Sequence, residues 1–175
     1  MNARPLSSAE VALESKGVGL STVRIATLAD VKRMALLINA AFAIETFLGG
    51  SRTDEQQLAE MMRRGDFLLG YDAREEMVAA VYVEVGGARG YLGMLAVSPP
   101  HQNRGFGRAM MDAAEDHCRA RGSTVMDLTV LSLRPELAPF YAKCGYVETG
   151  REEFRPSRPL REGLQCHLIV MSKQL

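Results

Sequence analysis

Between Leu95 and Arg108 the chain reads Leu-Ala-Val-Ser-Pro-Pro-His-Gln-Asn-Arg-Gly-Phe-Gly-Arg. The apolar run ending at Val97 has the character of a strand, Ser98-Pro99-Pro100 interrupts it, and Gln102-Asn103-Arg104-Gly105-Phe106-Gly107 opens an amphipathic helix. A helix that starts here presents first-turn N–H groups with no partner inside the helix. Gly105 and Gly107 let a ligand approach the backbone closely, and the positive end of the helix dipole favours an anion. Arg104 and Arg108 place further positive charge beside it. The chemistry this combination can perform is to hold a pyrophosphate.

Two common owners of such a cradle fail on spacing. A dinucleotide fold needs G-x-G-x-x-G, and the third glycine position is Met110. A P-loop needs G-x-x-x-x-G-K-[ST], which occurs nowhere in the chain. What the sequence does contain is Val97-x-Pro99-x-x-Gln102-x-x-Gly105-x-Gly107, followed later by Pro139-Phe-Tyr-Ala-Lys-Cys-Gly-Tyr146. Together these closely resemble the GNAT superfamily of acyl-CoA-dependent N-acyltransferases. The resemblance runs in order of elements from Val23 to the C-terminus and is specific between Tyr91 and Thr149.

The resemblance implies a set of roles. The strands on either side of the cradle would splay apart at a bulge, and Leu95, Ala96 and Val97 would offer backbone hydrogen bonds to the pantetheine arm and thioester of acetyl-CoA. Gln102, Asn103, Arg104, Gly105, Phe106, Gly107 and Arg108 would bind its pyrophosphate. Tyr141 falls where the family places a tyrosine near the coenzyme A sulfur, and it would return a proton to the departing thiolate. Arg134 stands at the head of that helix, where the family often has asparagine, and as an arginine it would meet a phosphate. Some members carry a basic glutamate on the strand leading to the cradle. Here that place holds Tyr91, and the nearest stand-ins are Glu84 on the preceding strand and Glu45 near the end of the first helix. A water chain, or an acceptor amine of low pKa, would serve instead. His117 lies on the apolar face of the cradle helix and reads as a buried, satisfied histidine, while His101 reads as a loop residue with a place facing the cofactor as its alternative, and His167 as a strand residue with the acceptor site as its alternative.

The remaining sequence supplies the scaffold. With 175 residues, the chain suits one domain, residues 22–175, preceded by a loose arm over residues 1–21 that holds at most one helical turn near Val11–Leu13. Thr27 with Asp30, and Thr53 with Gln56, have the spacing of helix caps. Three apolar segments, Phe67–Tyr71, Met77–Val85 and Tyr91–Val97, are joined by short polar turns and read as an antiparallel meander. Thr124–Leu131 is reached through a helical crossover and should run parallel to Tyr91–Val97. A short helix over Pro135–Cys144, a strand from Tyr146 to Thr149, an arginine-rich surface loop over Arg151–Arg161 and a last strand Leu164–Met171 complete an α/β fold. Its GNAT-like mixed central sheet has about seven strands flanked by about four helices.

Lys+Arg and Asp+Glu number 21 each, which disfavours a nucleic-acid binder, and no apolar run reaches a membrane span. Three cysteines without metal spacing fit reduced thiols in the cytoplasm, and no His/Cys cluster suits a metal. The expected activity is direct acetyl transfer from acetyl-CoA to an amine, on a small molecule or a peptide, with first- and second-helix residues, the loop Thr46–Ser51 and the Arg151–Arg161 loop forming the acceptor pocket. The alternative is an acyl-CoA-binding module of the same fold without turnover. A homodimer is compatible with the sequence.

Overall fold

A computed structural model describes residues 19–175, so the expected turn near Val11–Leu13 lies outside the described residues. Seven strands, β1 (Thr22–Ile25), β2 (Asp66–Tyr71), β3 (Met77–Gly86), β4 (Arg89–Val97), β5 (Val125–Leu131), β6 (Val147–Glu153) and β7 (His167–Gln174), form one sheet in the order β1-β2-β3-β4-β5-β7-β6. Among the described residues only β4 and β5 pair in parallel, and the helix between them is the crossover that such a pair requires. Four helices, α1 (Val31–Phe42), α2 (Glu55–Met61), α3 (Phe106–Arg119) and α4 (Leu137–Lys143), cover the two faces. The apolar stripe Val31, Met34, Ala35 and Ile38 packs α1, with Leu58 of α2, against one face. Phe106, Met110, Met111, Ala114 and Cys118 pack α3, with Tyr141 and Cys144, against the other. The mixed sheet and its helices have the architecture expected from the sequence. No helix among the described residues is long and apolar enough to cross a membrane.

Side-chain parity along β4 shows where the sheet departs from regularity. Before the irregularity, Gly90 and Leu92 face α3 while Tyr91 faces α1. After it, Leu95 and Val97 face α3 while Met94 and Ala96 face α1. Even and odd positions have exchanged faces, which requires one extra residue in the strand. The register shows it: Gly93 pairs with Tyr82 and Ala96 with Ala80, so Met94 and Leu95 together oppose Val81. Met94 takes φ +50°, the left-handed conformation that lets the strand absorb the surplus. Pairing with β5 stops at Leu92↔Leu128, although β5 continues beside β7 as far as Leu131↔Leu168.

Other boundaries shift for local reasons. The cap of α2 is Asp54 instead of Thr53, because the Asp54 carboxylate accepts from the Gln57 N–H at 2.8 Å. Pro139 falls in the first turn of α4, where its missing N–H has no helical acceptor to lose. β6 runs on to Glu153 through pairing with β7, so the first residues of the expected arginine-rich loop are strand. Leu20 is buried and the Ser21 N–H donates to Tyr71 O at 2.8 Å, which carries sheet contact back to the start of the described chain. The three cysteines are free thiols.

At the entrance to α1, Asp30 accepts from the Thr27 N–H at 2.8 Å and from both Nη atoms of Arg24 at 2.9 and 2.7 Å. The Arg24 hydrogen bonds hold its carboxyl down at about 2, against an ordinary 3.8. A carboxylate with a depressed folded pKa stabilises the fold above its unfolded pKa and loses that contribution as pH falls through the folded value. The difference in urea midpoint between the parent chain and Asp30→Asn is therefore expected to be largest at neutral pH and to close between about pH 4 and pH 2. A difference that stays constant over that range would show that the carboxylate is not held in this way.

Candidate active site

The loop after β4 folds as the spacing of its residues requires. Pro99–His101 form one tight turn, and Gln102 reaches back so that its Nε2 donates to Val97 O at 3.1 Å. Asn103 and Gly105 both adopt left-handed backbone, with φ +61° and +83°, and Gly105 caps α3. Asparagine and glycine are the residues that enter this region most readily. Alternation of this sort turns successive N–H groups toward one concavity, just ahead of the unpaired first-turn amides of α3. The Phe106 ring is buried in the core, edge-on to His101 at 5.7 Å, and fixes the helix start to the sheet. Gln102, Asn103, Gly105, Gly107 and Arg108 line a cleft of about 780 Å³. Arg108 also pairs with Asp112 at 3.0 Å, one turn along the helix.

From the cradle the cleft runs between the separated ends of β4 and β5, lined by Gly93, Met94, Leu95 and Val97 on one side and Thr129, Val130 and Leu131 on the other. Beyond Leu92 the edge of β4 toward β5 has no ladder partner, so it can accept an extended ligand as a further strand would be accepted. A side chain at Gly93 would collide with the Tyr91 ring at 2.8 Å, so this glycine gives Tyr91 its place in the wall. The Tyr91 hydroxyl lies 3.4 Å from Thr129 Oγ1. Tyr141 of α4 closes the same region, packed edge-on to Phe140 and Tyr146 with centroids at 5.1 and 6.1 Å. Burial, reinforced by Cys144 and Tyr91, pushes its phenol up to about 12. Its hydroxyl makes no hydrogen bond among the described residues, so a protonated donor faces the cleft without a protein acceptor.

The far end is built from two loops distant in sequence. Leu48 and Leu160 form a β-bridge, Gly49 N–H donates to Pro159 O at 2.9 Å, and Arg161 N–H donates to Phe47 O at 2.9 Å. Inside this clasp Glu45, only 3% exposed at its side chain, meets Arg134 Nη1 at 3.2 Å through Oε1 and Arg158 Nη2 at 3.5 Å through Oε2. Phe42, Leu48, Arg52, Phe154 and Leu168 complete the wall.

A family model described as an acetyltransferase (GNAT) domain matches residues 28–157. The chain belongs to the GNAT family. No curated protein matches it. Among solved structures, the spermidine N-acetyltransferase of Vibrio cholerae in complex with CoA and spermine has 18% identity and a TM-score of 0.70, covering 87% of this chain and 94% of that one. A GNAT superfamily phosphinothricin acetyltransferase of Sinorhizobium meliloti in complex with AcCoA has 15% identity and a TM-score of 0.70, covering 88% of each chain. The ribosomal-protein-S18-alanine N-acetyltransferase of Escherichia coli has 21% identity and a TM-score of 0.66, covering 87% of this chain and 92% of that one. At these identities the similarity establishes a shared fold.

Within this GNAT domain the residues singled out from the sequence do not all converge. Leu95, Val97, Gln102, Asn103, Gly105, Gly107, Arg108, Arg134 and Tyr141 line one cleft. The Ala96 side chain is buried on the α1 face, the Phe106 ring is core, and Arg104 is exposed beside the cradle. Arg134 lies at the far end, bound to Glu45 and to Glu136 at 2.6 Å. Glu84 is not part of the cleft wall. It accepts from Tyr82 Oη at 2.6 Å, and the same hydroxyl lies 3.1 Å from Met61 O at the end of α2. His117 is a satisfied buried histidine, 2.8 Å from Asp66, and burial lowers its pKa. Arg52, Arg158 and the pairing of Glu45 with Arg134 and Arg158 are the site features that sequence reading missed, because Glu45 and Arg158 are 113 residues apart and no motif joins them.

Removing Glu45 would leave the largely buried Arg158 guanidinium without a carboxylate and Arg134 with only the exposed Glu136. Glu45→Ala is expected to lower unfolding free energy by about 3 kcal/mol in urea denaturation. An unchanged midpoint would mean that the cluster does not hold the two loops together.

Proposed function

We propose that this chain transfers an acetyl group from acetyl-CoA directly to an amine, with both bound in the one cleft. The observation that carries this reading is the continuity of three features: an amide-lined cradle, an unpaired strand edge and a protonated tyrosine hydroxyl. Their chemistry fits the diphosphate, the pantetheine amides and the sulfur in that order. When bound, acetyl-CoA would supply a thioester carbonyl for the amine to attack and a thiolate to leave.

The chain's own residues would do the rest. Backbone amides from Asn103 to Arg108, with the Arg108 and Arg104 guanidiniums, would hold the diphosphate. Gln102 braces the cradle by occupying the Val97 carbonyl, leaving the backbone of Gly93–Ala96 as the edge for the arm and the thioester oxygen. Tyr141 would keep its proton at Oη until the sulfur needs it. Complete donation from a phenol at about 12 to a thiol of pKa ~8.5 is uphill by roughly 5 kcal/mol. Oη would therefore act as a relay, giving its proton toward the sulfur as it takes one from the amine side, so that no phenolate would accumulate.

General-base duty falls to no carboxylate in this reading. Glu84 is outside the cleft, and Glu45 has both oxygens engaged by arginines. The amine must then arrive neutral. A lysine-type amine is neutral in about one molecule in 10³ at pH 7, while an α-amine of pKa ~8 is neutral in about one in ten. The site therefore favours an amine that is neutral once bound, either through a low pKa of its own or because the arginines of the cleft disfavour its protonation. The free thiols of Cys118, Cys144 and Cys166 support a cytoplasmic setting. A second reading, an acyl-CoA-binding module without turnover, draws on the same observation that Glu45, the one carboxylate among the described lining residues, is fully engaged.

Tyr141→Phe is expected to lower kcat by about 100-fold while leaving the calorimetric Kd for CoA within about 3-fold. An unchanged kcat would overturn the relay. CoA binding with no thiol release from acetyl-CoA across a panel of amines would establish the binding module instead, and no heat on titration with CoA would overturn both readings.

A further inference from the structure

Arg52 is the unexplained group in the cleft. It sits in the loop between α1 and α2, with its guanidinium 4.9 Å over the Phe42 ring, and it makes no hydrogen bond or ion pair among the described residues. Its Nε is shut off from solvent and has no partner. A buried donor left unpaired costs free energy that packing over an aromatic ring does not return in full. The nearest anion cannot supply the partner, because Glu45 already gives one oxygen to Arg134 and the other to Arg158. Arg158 is further fixed by donating to Gly50 O at 3.3 Å. Glu136, the second carboxylate on Arg134, is 56% exposed and lies on the outer side. Three arginines thus face one buried carboxylate, and the surplus positive charge lies close to Tyr91 and Tyr141, at the end of the cleft away from the cradle.

We infer that this end of the cleft binds the carboxylate of a small, amino-acid-like amine, with Arg52 as the fork that receives it. The inference rests on the acetyl-transfer reading above and names its acceptor class. The surplus cation repels a polyamine and attracts an acid. The Arg52 Nη atoms have no protein acceptor among the described residues, and that planar end of the guanidinium can meet a carboxylate with two hydrogen bonds while the enclosed Nε holds the stem in place. Phe42, Leu48, Phe154 and Leu168 give the remainder of the acceptor an apolar wall. Glu45 then serves as a positioning residue that fixes Arg134 and Arg158 so that neither folds over the site. Burial lowers the Arg52 pKa, the direction expected of a cation whose counter-ion is supplied from outside.

The test has a kinetic arm and a binding arm. In the first, kcat/KM with acetyl-CoA is compared for aliphatic amino acids, their amides, the matching aminophosphonates, short peptides and spermidine. In the second, calorimetry compares an N-acetyl amino acid with its amide, with and without CoA, so that the site is read even if no amine turns over. The acid is expected to exceed its amide by roughly 10-fold or more in both arms. Arg52→Gln is expected to shrink that preference to about 3-fold or less, and Arg52→Lys to restore part of it, since the charge returns without the fork. Equal use of acid and amide, better use of spermidine or peptides, a phosphonate preferred to the carboxylate, or an Arg52→Gln loss that is the same for acid and amide would each overturn the assignment. If CoA binds and amines without a carboxylate are acetylated, this inference fails and acetyl transfer stands. If CoA does not bind, acetyl transfer fails, and the binding arm without CoA still decides the carboxylate site.

Discussion

One surplus residue in β4 governs the architecture of the cleft. Met94 and Leu95 share the single partner Val81, and the strand beyond them turns away from β5 after only four paired positions. A regular β4 would continue its ladder to Leu131, and the space between the strands would be filled by hydrogen bonds. With the bulge in place, one side of β4 stays anchored to β3 through Ala96↔Ala80 and Val97↔Ala79, while the other side is left open. The same exchange of faces sends Leu95 and Val97 toward α3, so the helix that carries the cradle packs directly on the strand that carries the open edge. The gap, and the packing of Leu95 and Val97 under the helix that carries the cradle, thus go with one backbone irregularity.

The two ends of the cleft handle charge by different physical means. The cradle works through backbone: left-handed Asn103 and Gly105 and the first turn of α3 orient amides, and much of the charge of Arg108 is met by Asp112. Amide dipoles hold an anion without a mobile counter-charge to reorganise. The far end works through side chains, in a clasp of loops that buries Glu45 among arginines. Between them stands Tyr141, positioned by a chain of buried contacts. Its ring packs on Tyr146, whose hydroxyl donates to Glu115 of α3 at 3.1 Å, and Lys173 of β7 donates to the same carboxylate at 2.6 Å. Helix α4 is short, and this network fixes it to both α3 and the sheet.

What the sequence disclosed was local. Strand, turn and helix around residues 91–119 are encoded by periodicity and by glycine, asparagine and proline at fixed offsets, and each of these signals acts within a few residues. The parallel pairing of β4 with β5 followed from the helical crossover, and the buried role of His117 from its place on the apolar stripe of α3. Where competing local signals lay side by side, the outcome turned on detail: Asp54 displaced Thr53 as the cap of α2 because its carboxylate reaches the Gln57 N–H. Glu84 offered a stand-in base on the strand preceding β4, but its partner is the Tyr82 hydroxyl two residues away on the same face. The acceptor end was legible only as two loops destined to meet. Which arginine would pair with Glu45, and which would be left without an anion, depends on contacts between residues 45–52 and 134–158 that no local rule encodes.

The open strand edge can be tested directly by amide hydrogen exchange of the purified chain with and without CoA. If the β4 bulge creates a slot for the pantetheine arm, saturating CoA will slow exchange in the segment 92–97 together with the cradle 102–108, by about 10-fold or more. If CoA binds and protects the cradle alone, leaving 92–97 exchanging as in the free chain, the unpaired edge of β4 is not the slot and the account built on it is wrong.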